Sequence, residues 1–98
     1  MVISITETLL TDVSDKEILK KVLFRQVNEV SRQLRNKKKY CDVVAILYKN
    51  SNFESYSKQV KLKNPTDKTE EIYNTIENLL NFSFRGDDIR LIGVRLAN

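Results

Sequence analysis

The sequence predicts an α+β domain in which two helices pack on one face of a four-stranded antiparallel sheet and the other face stays open. Three observations predict it. Four segments rich in β-formers and two segments of helical periodicity follow one another in the order β-α-β-β-α-β. Only turn residues separate the second and third strands, which indicates a hairpin. A chain of 98 residues holds one hydrophobic core, so we expect a single domain over residues 1–98.

The first strand and the first helix are indicated by their periodicities. Val2 to Thr8 alternates apolar and polar side chains, as a half-buried strand does. Ser14 and Glu17 have the spacing of a capping box, so a helix is expected to begin there. The helix continues to Asn36, because apolar residues recur every three or four positions at Leu19, Leu23, Val27, Val30 and Leu34.

The remaining residues predict two strands, a helix and a final strand. Tyr40 to Lys49 is nearly apolar on both parities, which is typical of a central strand. Phe53 to Lys63 alternates again, and Asn64 to Asp67, with the sole proline, is expected to break this strand and cap a helix. The closing strand is Ile89 to Leu96, and the buried stripe of the second helix is Ile72, Ile76, Leu79 and Leu80.

Composition limits the possible functions. The net charge of +4 and a pI near 9.3 lean toward an anionic partner. The single Cys41 cannot form an internal disulfide, and the lack of histidine removes the usual zinc sets and the hydrolases that need a histidine base. No catalytic constellation is present, so we expect no enzymatic activity from these residues alone. A reducing cytoplasmic location, without a membrane partner, is expected.

The open sheet face is the strongest candidate for a binding site. Its predicted lining combines hydroxyls, an amide and cations, which suit a sugar–phosphate backbone, and comprises Ser4, Thr6, Ser55, Ser57, Gln59, Lys61, Gly93 and Arg95. A solvated polar face with no partner is the alternative interpretation. No aromatic ladder lines this face, which argues against base stacking. Gly93 marks a place where another backbone or a ligand comes close.

Four short segments, in order along the chain, resemble motifs of a known family. They are Ser4-Ile5, Phe53 to Gln59, Leu62 to Asp67 (LKNPTD), and Ile89 to Leu96 (IRLIGVRL). Each motif is weak by itself, but the four at this spacing cover nearly the whole chain. On these segments the chain resembles the little finger domain of Y-family, lesion-bypass DNA polymerases of the UmuC/DinB type.

The resemblance implies binding of template–primer duplex through phosphates, without sequence readout. By position, the family's backbone-contacting residues correspond to Ser57, Lys58, Arg90 and Arg95. Three positions depart from the family pattern. Lys58 replaces a common arginine, Leu91 stands where a second basic residue often occurs, and Glu7 stands at an often basic position. A modest duplex affinity is therefore expected.

The resemblance also implies a parent protein. That parent would be a DNA polymerase of DNA repair and the SOS response, from which this domain was excised, with Mg²⁺ held in a palm domain absent here. Its expected partners are double-stranded template–primer DNA, the catalytic domains of the same chain and a sliding clamp. No cofactor is expected in this domain itself. The alternative function is a ferredoxin-like protein-interaction or regulatory domain whose polar face pairs with another chain.

Overall fold

The predicted element order is confirmed. The structure, a computed structural model, describes all residues from Met1 to Asn98. Its elements are β1 (Val2–Val13), α1 (Lys16–Asn36), β2 (Cys41–Asn50), β3 (Ser55–Thr66), α2 (Thr69–Ser83) and β4 (Ile89–Ala97). The four strands form one antiparallel sheet in the order β1-β4-β2-β3. The predicted central position of β2 is confirmed, and β4 lies beside it.

Each helix connects two strands that flank a third. The α1 helix joins β1 to β2 across β4, and the α2 helix joins β3 to β4 across β2. Ferredoxin-like sheets have their first and third strands in the centre. The present chain therefore shares their element order but not their strand order, which sequence periodicity does not determine.

One hydrophobic core lies between the helices and one face of the sheet. The predicted stripes of both helices are buried, and they meet alternate residues of the two central strands, among them Val44, Ile46, Ile92, Val94 and Leu96. Neither helix combines the length and the apolar character needed to cross a membrane. Cys41 lies in this core, and burial raises the pKa of its thiol to about 11. Its thiolate form is therefore scarce at neutral pH.

The start of α1 differs by one residue from the prediction. Asp15, not Ser14, is the N-cap, and its Oδ1 accepts the backbone N–H of Glu17 at 2.9 Å. The capping box predicted from Ser14 and Glu17 is therefore wrong. A carboxylate caps a helix as well as a hydroxyl does, so Asp15 can take the place predicted for Ser14.

The segment with the sole proline is also corrected. We expected Asn64 to Asp67 to break the strand, but β3 continues through Pro65 to Thr66. An edge strand tolerates proline because one side of its backbone has no partner, and the pairing with β2 is irregular here. The N-cap of α2 is Lys68, which makes no side-chain capping bond. Thr66 Oγ1 accepts the Lys68 N–H at 3.1 Å instead.

A polar cluster on the helix side ties three elements together. Arg25 Nη2 donates to both carboxylate oxygens of Glu7 at 2.8 Å. The Nε2 of the buried Gln26 donates to Glu7 Oε1 at 3.0 Å and to the Ile92 carbonyl at 3.1 Å. These bonds connect β1, α1 and β4. The hydrogen bond from Arg25, with a smaller contribution from Gln26, lowers the pKa of Glu7 from its ordinary value, although partial burial opposes the shift.

Acid sensitivity should follow from this cluster. Because folding lowers the pKa of Glu7, its stabilising contribution is complete above the unfolded-state value of 4.5 and is lost as the pH falls through the folded-state value. We expect Glu7→Gln to unfold at lower urea concentration near neutral pH and to flatten the decline in stability below about pH 4.5. Urea unfolding across this range measures both effects. Glu70→Gln is the charge-matched control, since Glu70 makes no ion pair or side-chain hydrogen bond. Parallel pH profiles for wild type and Glu7→Gln would contradict the assignment.

Candidate nucleic-acid interface

The sheet face opposite the helices carries the predicted lining. Strand register places its residues in rows across the sheet, such as Ser4, Arg95, Ala45 and Gln59, or Thr6, Gly93, Leu47 and Ser57. All eight predicted lining residues belong to this side, because strand pairing aligns them with one another and the alternate residues of each strand lie on the helix side. The placement of the open face is thus confirmed, whereas contact with DNA stays a prediction.

Arg95 lies in the middle of the first of these rows. Its Nη2 donates to Gln59 Oε1 at 3.4 Å, across the strand that separates them. The residue between them on β2 is the small Ala45, which leaves the arginine side chain free to lie over the sheet. The guanidinium is therefore partly exposed on the face with a single long hydrogen bond, and its other donors can serve an anion.

The two central strands present both polar and apolar side chains on this face. A shallow hollow of about 360 Å³ has Leu47 and Leu91 among its lining residues, together with Thr6, Lys49, Ser55 and Ser57. Lys49 was not predicted as a site residue, although it shares the parity of Ala45 and Leu47. The alternation of side chains along β2 could have identified Lys49. Because β2 is apolar at nearly every position, however, the sequence did not show which of its two sides is open.

Gly93 faces this surface, but the structure explains its small size by the neighbouring strand. A Cβ atom there would lie 2.4 Å from the Ile5 carbonyl oxygen and 2.4 Å from Thr6 Cγ2. Of the two partners expected for the glycine, a backbone or a ligand, the structure shows the backbone, that of β1. A direct role for Gly93 in DNA contact remains a prediction.

Lys58 lies on the helix side of the sheet. It pairs with the core residue Ile46, and its ammonium lies 5.2 Å from the centre of the exposed Phe82 ring of α2. The family resemblance predicted a DNA contact for Lys58, and that contact is still a prediction. Lys58 therefore lies on the opposite side of the sheet from Ser57 and Arg95.

Glu7 and Leu91, two of the three residues that depart from the family pattern, lie on opposite sides of the sheet. Glu7 faces α1, where Arg25 binds it, so its charge does not belong to the open face. Leu91 does face the open side, and there it provides an apolar surface where a cation would bind phosphate. Of these two residues, Leu91 alone lies on the open face, and the modest duplex affinity stays a prediction.

Arg90 lies at an irregularity near the start of β4. Lys49 and Asn50 are adjacent on β2 but pair with Leu91 and Ile89, so Arg90 is one extra residue in β4. The bulge returns Ile89 to the core and leaves the Arg90 side chain 41% exposed. Arg90 shares the parity of the core residues of β4, and its contact with DNA stays a prediction.

The open face contains no aromatic side chain. Tyr48 and Tyr56 stack on the helix side with ring centroids 5.2 Å apart, and Tyr40 precedes β2. The cations of the face are Lys49, Lys61 and Arg95, of which Lys61 lies 4.0 Å from the Asp42 carboxylate. No three His, Cys, Asp or Glu side chains come together as a potential metal site. The arrangement suits contacts to a polyanion backbone rather than base stacking.

Sequence comparison identifies relatives of the chain. The impB/mucB/samB family C-terminal domain matches residues 2–98. DNA polymerase IV of Clostridium acetobutylicum is 34% identical over 95 residues, which cover 97% of this chain and 24% of that protein. DNA polymerase IV 2 of Bacillus subtilis is 33% identical over 86 residues, or 85% of this chain and 21% of that protein. The chain thus spans about a quarter of the length of these relatives.

Solved structures share the fold at lower identity. The little finger domain of PolIV, in a complex with the beta-clamp processivity factor, superimposes with a TM-score of 0.80 at 14% identity, covering 99% of this chain and 87% of that one. DinB from Sulfolobus solfataricus gives 0.83 at 20% identity, with 99% of this chain and 28% of that one covered. With the family match over residues 2–98, the chain belongs to the impB/mucB/samB family C-terminal domain, the little finger domain of Y-family DNA polymerases.

Proposed function

We propose that this domain binds template–primer duplex DNA through its phosphate backbone, without reading sequence, as part of a lesion-bypass polymerase. The observation that carries the proposal is the open sheet face, where the cations Lys49, Lys61 and Arg95 lie among small polar and apolar side chains. Cations and hydroxyls contact phosphate oxygens on any sequence. Base stacking needs aromatic platforms, which this face lacks.

The electrostatics support a small number of phosphate contacts. Lys49, Lys61 and Arg95 lie on the face, and Arg90 lies at its end. If about four phosphates are neutralised, log K falls with log salt at a slope of about −3.6. The contribution of each contact is modest by itself, so the affinity depends on their number and on ionic strength.

The activity and partners of the parent chain follow from its relatives. Proteins named DNA polymerase IV match this chain over most of its length, so the parent is proposed to be a DNA-directed DNA polymerase. Its Mg²⁺ would be held by a palm domain outside these residues, as the resemblance to Y-family polymerases implies. A sliding clamp is a proposed partner, since the related little finger domain of PolIV was solved in complex with one. The catalytic domains of the same chain are further proposed partners. The parent protein is proposed to be cytoplasmic.

A salt titration tests duplex binding. We expect a fourfold increase in salt to weaken binding of an unrelated-sequence duplex by about 100-fold, as four released counterions require. Fluorescence anisotropy with labelled duplexes of two unrelated sequences measures the slope and its sequence dependence. Both duplexes should bind with equal affinity.

Two outcomes would contradict the proposal. Binding that does not change with salt, or no binding at the lowest salt concentration, is incompatible with phosphate contacts. A tight dimer in solution with a protected sheet face and no duplex binding would instead indicate the protein-interaction function.

A further inference from the structure

The Arg90 guanidinium is held between two side chains from different parts of the chain. Its Nε lies 3.7 Å from Asp12 Oδ1, and its Cζ lies 4.7 Å from the centroid of the Phe53 ring. Both Arg90 and Asp12 are more than a third exposed, at 41% and 36%. The Arg90 guanidinium therefore lies between the Asp12 carboxylate and the face of the Phe53 ring, at the end of the sheet where β4 begins.

Asp12 lies in an irregular part of β1, which brings its carboxylate close to Arg90. Thr8 pairs with Leu91 and Val13 pairs with Ile89, so four residues of β1 lie opposite the single bulged Arg90. The extra segment contains Leu10, whose side chain is fully exposed, and ends at Asp12. Leu9, at the start of this segment, packs against the core, and Asp12, at its end, contacts Arg90.

Phe53 is also held by unusual backbone. Its φ is +64°, a left-handed conformation that bulky residues rarely adopt. The buried Asn50 maintains the turn, because its Oδ1 accepts the backbone N–H groups of Asn52 and Glu54, both at 3.0 Å. The Phe53 side chain remains 64% exposed, so burial does not explain its orientation. The irregular pairing of β1 and the left-handed backbone of Phe53 thus each place a side chain against Arg90.

We propose that Asp12 is an internal competitor for phosphate, which occupies Arg90 in the free domain and is displaced by duplex DNA. This inference rests on the proposed function. Carboxylate and phosphate oxygens accept the same guanidinium donors, so one replaces the other without a change in Arg90 chemistry. Exposed ion pairs stabilise folded proteins little, which makes the exchange feasible. Phe53 keeps the guanidinium plane at the sheet end while Asp12 leaves, since stacking on an aromatic face does not use the N–H donors.

Substitution of the competitor tests the proposal. We expect Asp12→Asn to increase duplex affinity about threefold to tenfold at low salt and to leave the salt slope nearly unchanged, because Arg90 contacts phosphate in both complexes but no longer has to leave Asp12 first. Asp12→Ala should act in the same direction. Asp88→Asn is the matched control, since Asp88 precedes Arg90 by two residues and makes no ion pair. It removes the same charge nearby and should have a smaller effect. Anisotropy titrations of each purified 98-residue variant measure the affinities.

A double-variant cycle separates competition from general electrostatics. Arg90→Gln should cancel the gain of Asp12→Asn, and Phe53→Leu combined with Asp12→Asn should lose part of it. Equal effects of Asp12→Asn and Asp88→Asn, or a gain that persists with Arg90→Gln, would overturn the inference while leaving the proposed function intact. Absence of duplex binding by the unchanged domain would overturn both.

Discussion

Replacement of Gly93 by alanine is expected to lower the free energy of unfolding by about 3 kcal/mol, the upper part of the range for overpacked interiors. The new Cβ would lie 2.4 Å from the Ile5 carbonyl oxygen, 2.4 Å from Thr6 Cγ2 and 3.0 Å from Thr6 Cα. Two of these atoms are backbone, so no side-chain rotation relieves all the contacts. The edge strand β1 must move away from β4 at this point. Urea unfolding monitored by circular dichroism measures the loss.

Two further variants separate steric overlap from backbone conformation. Gly86 has a φ of +89° and nothing within 4 Å of its hypothetical Cβ, so Gly86→Ala should cost only about 1 kcal/mol through its left-handed backbone. Thr6→Ala should partly rescue Gly93→Ala, because it removes the Cγ2 overlap but leaves the Ile5 carbonyl. A Gly93→Ala variant within 0.5 kcal/mol of wild type, by the typical range of a surface substitution, would show that β1 adjusts freely and would refute the packing argument.

Local periodicity accounts for the parts of the fold that the sequence predicted. The spacing of Leu19, Leu23 and Val27 determines which side of α1 is buried, and the structure buries all three. Alternation in β3 likewise separated Ser57 and Gln59 from Tyr56, and strand register confirms the two sides. Such patterns depend only on neighbours in the chain, so they are visible without knowledge of the tertiary structure.

Features that depend on distant residues were not predictable in this way. The order β1-β4-β2-β3 is a choice among long-range pairings, and nothing in the pattern of β4 distinguished a central strand from an edge. The bulge at Arg90 and the four residues of β1 that lie opposite it arise only where β1 and β4 meet. The contact between Asp12 and Arg90 therefore had no sequence signal, because it joins positions 78 residues apart through two irregularities.

Charge reversal at Arg95 should give the largest effect on the proposed activity. We expect Arg95→Glu to reduce duplex affinity about 10- to 100-fold at low salt, which corresponds to the loss of one charge-assisted hydrogen bond together with new repulsion of phosphate. The position is central to the face, in the row of Ser4, Ala45 and Gln59. Since the contact is to backbone, the reduction should be equal on unrelated duplex sequences, and the salt slope should fall by about one.

Lys21→Glu is the matched control for this experiment. Lys21 is exposed on α1, on the helix side of the molecule, and it makes no ion pair. Both variants change the net charge by two, so a general effect of protein charge would weaken binding equally in both. A site on the open face requires a much larger loss for Arg95→Glu, with circular dichroism showing that both variants are folded. Equal losses of affinity would contradict a binding site on the open face. A loss confined to one duplex sequence would indicate base readout rather than phosphate contact.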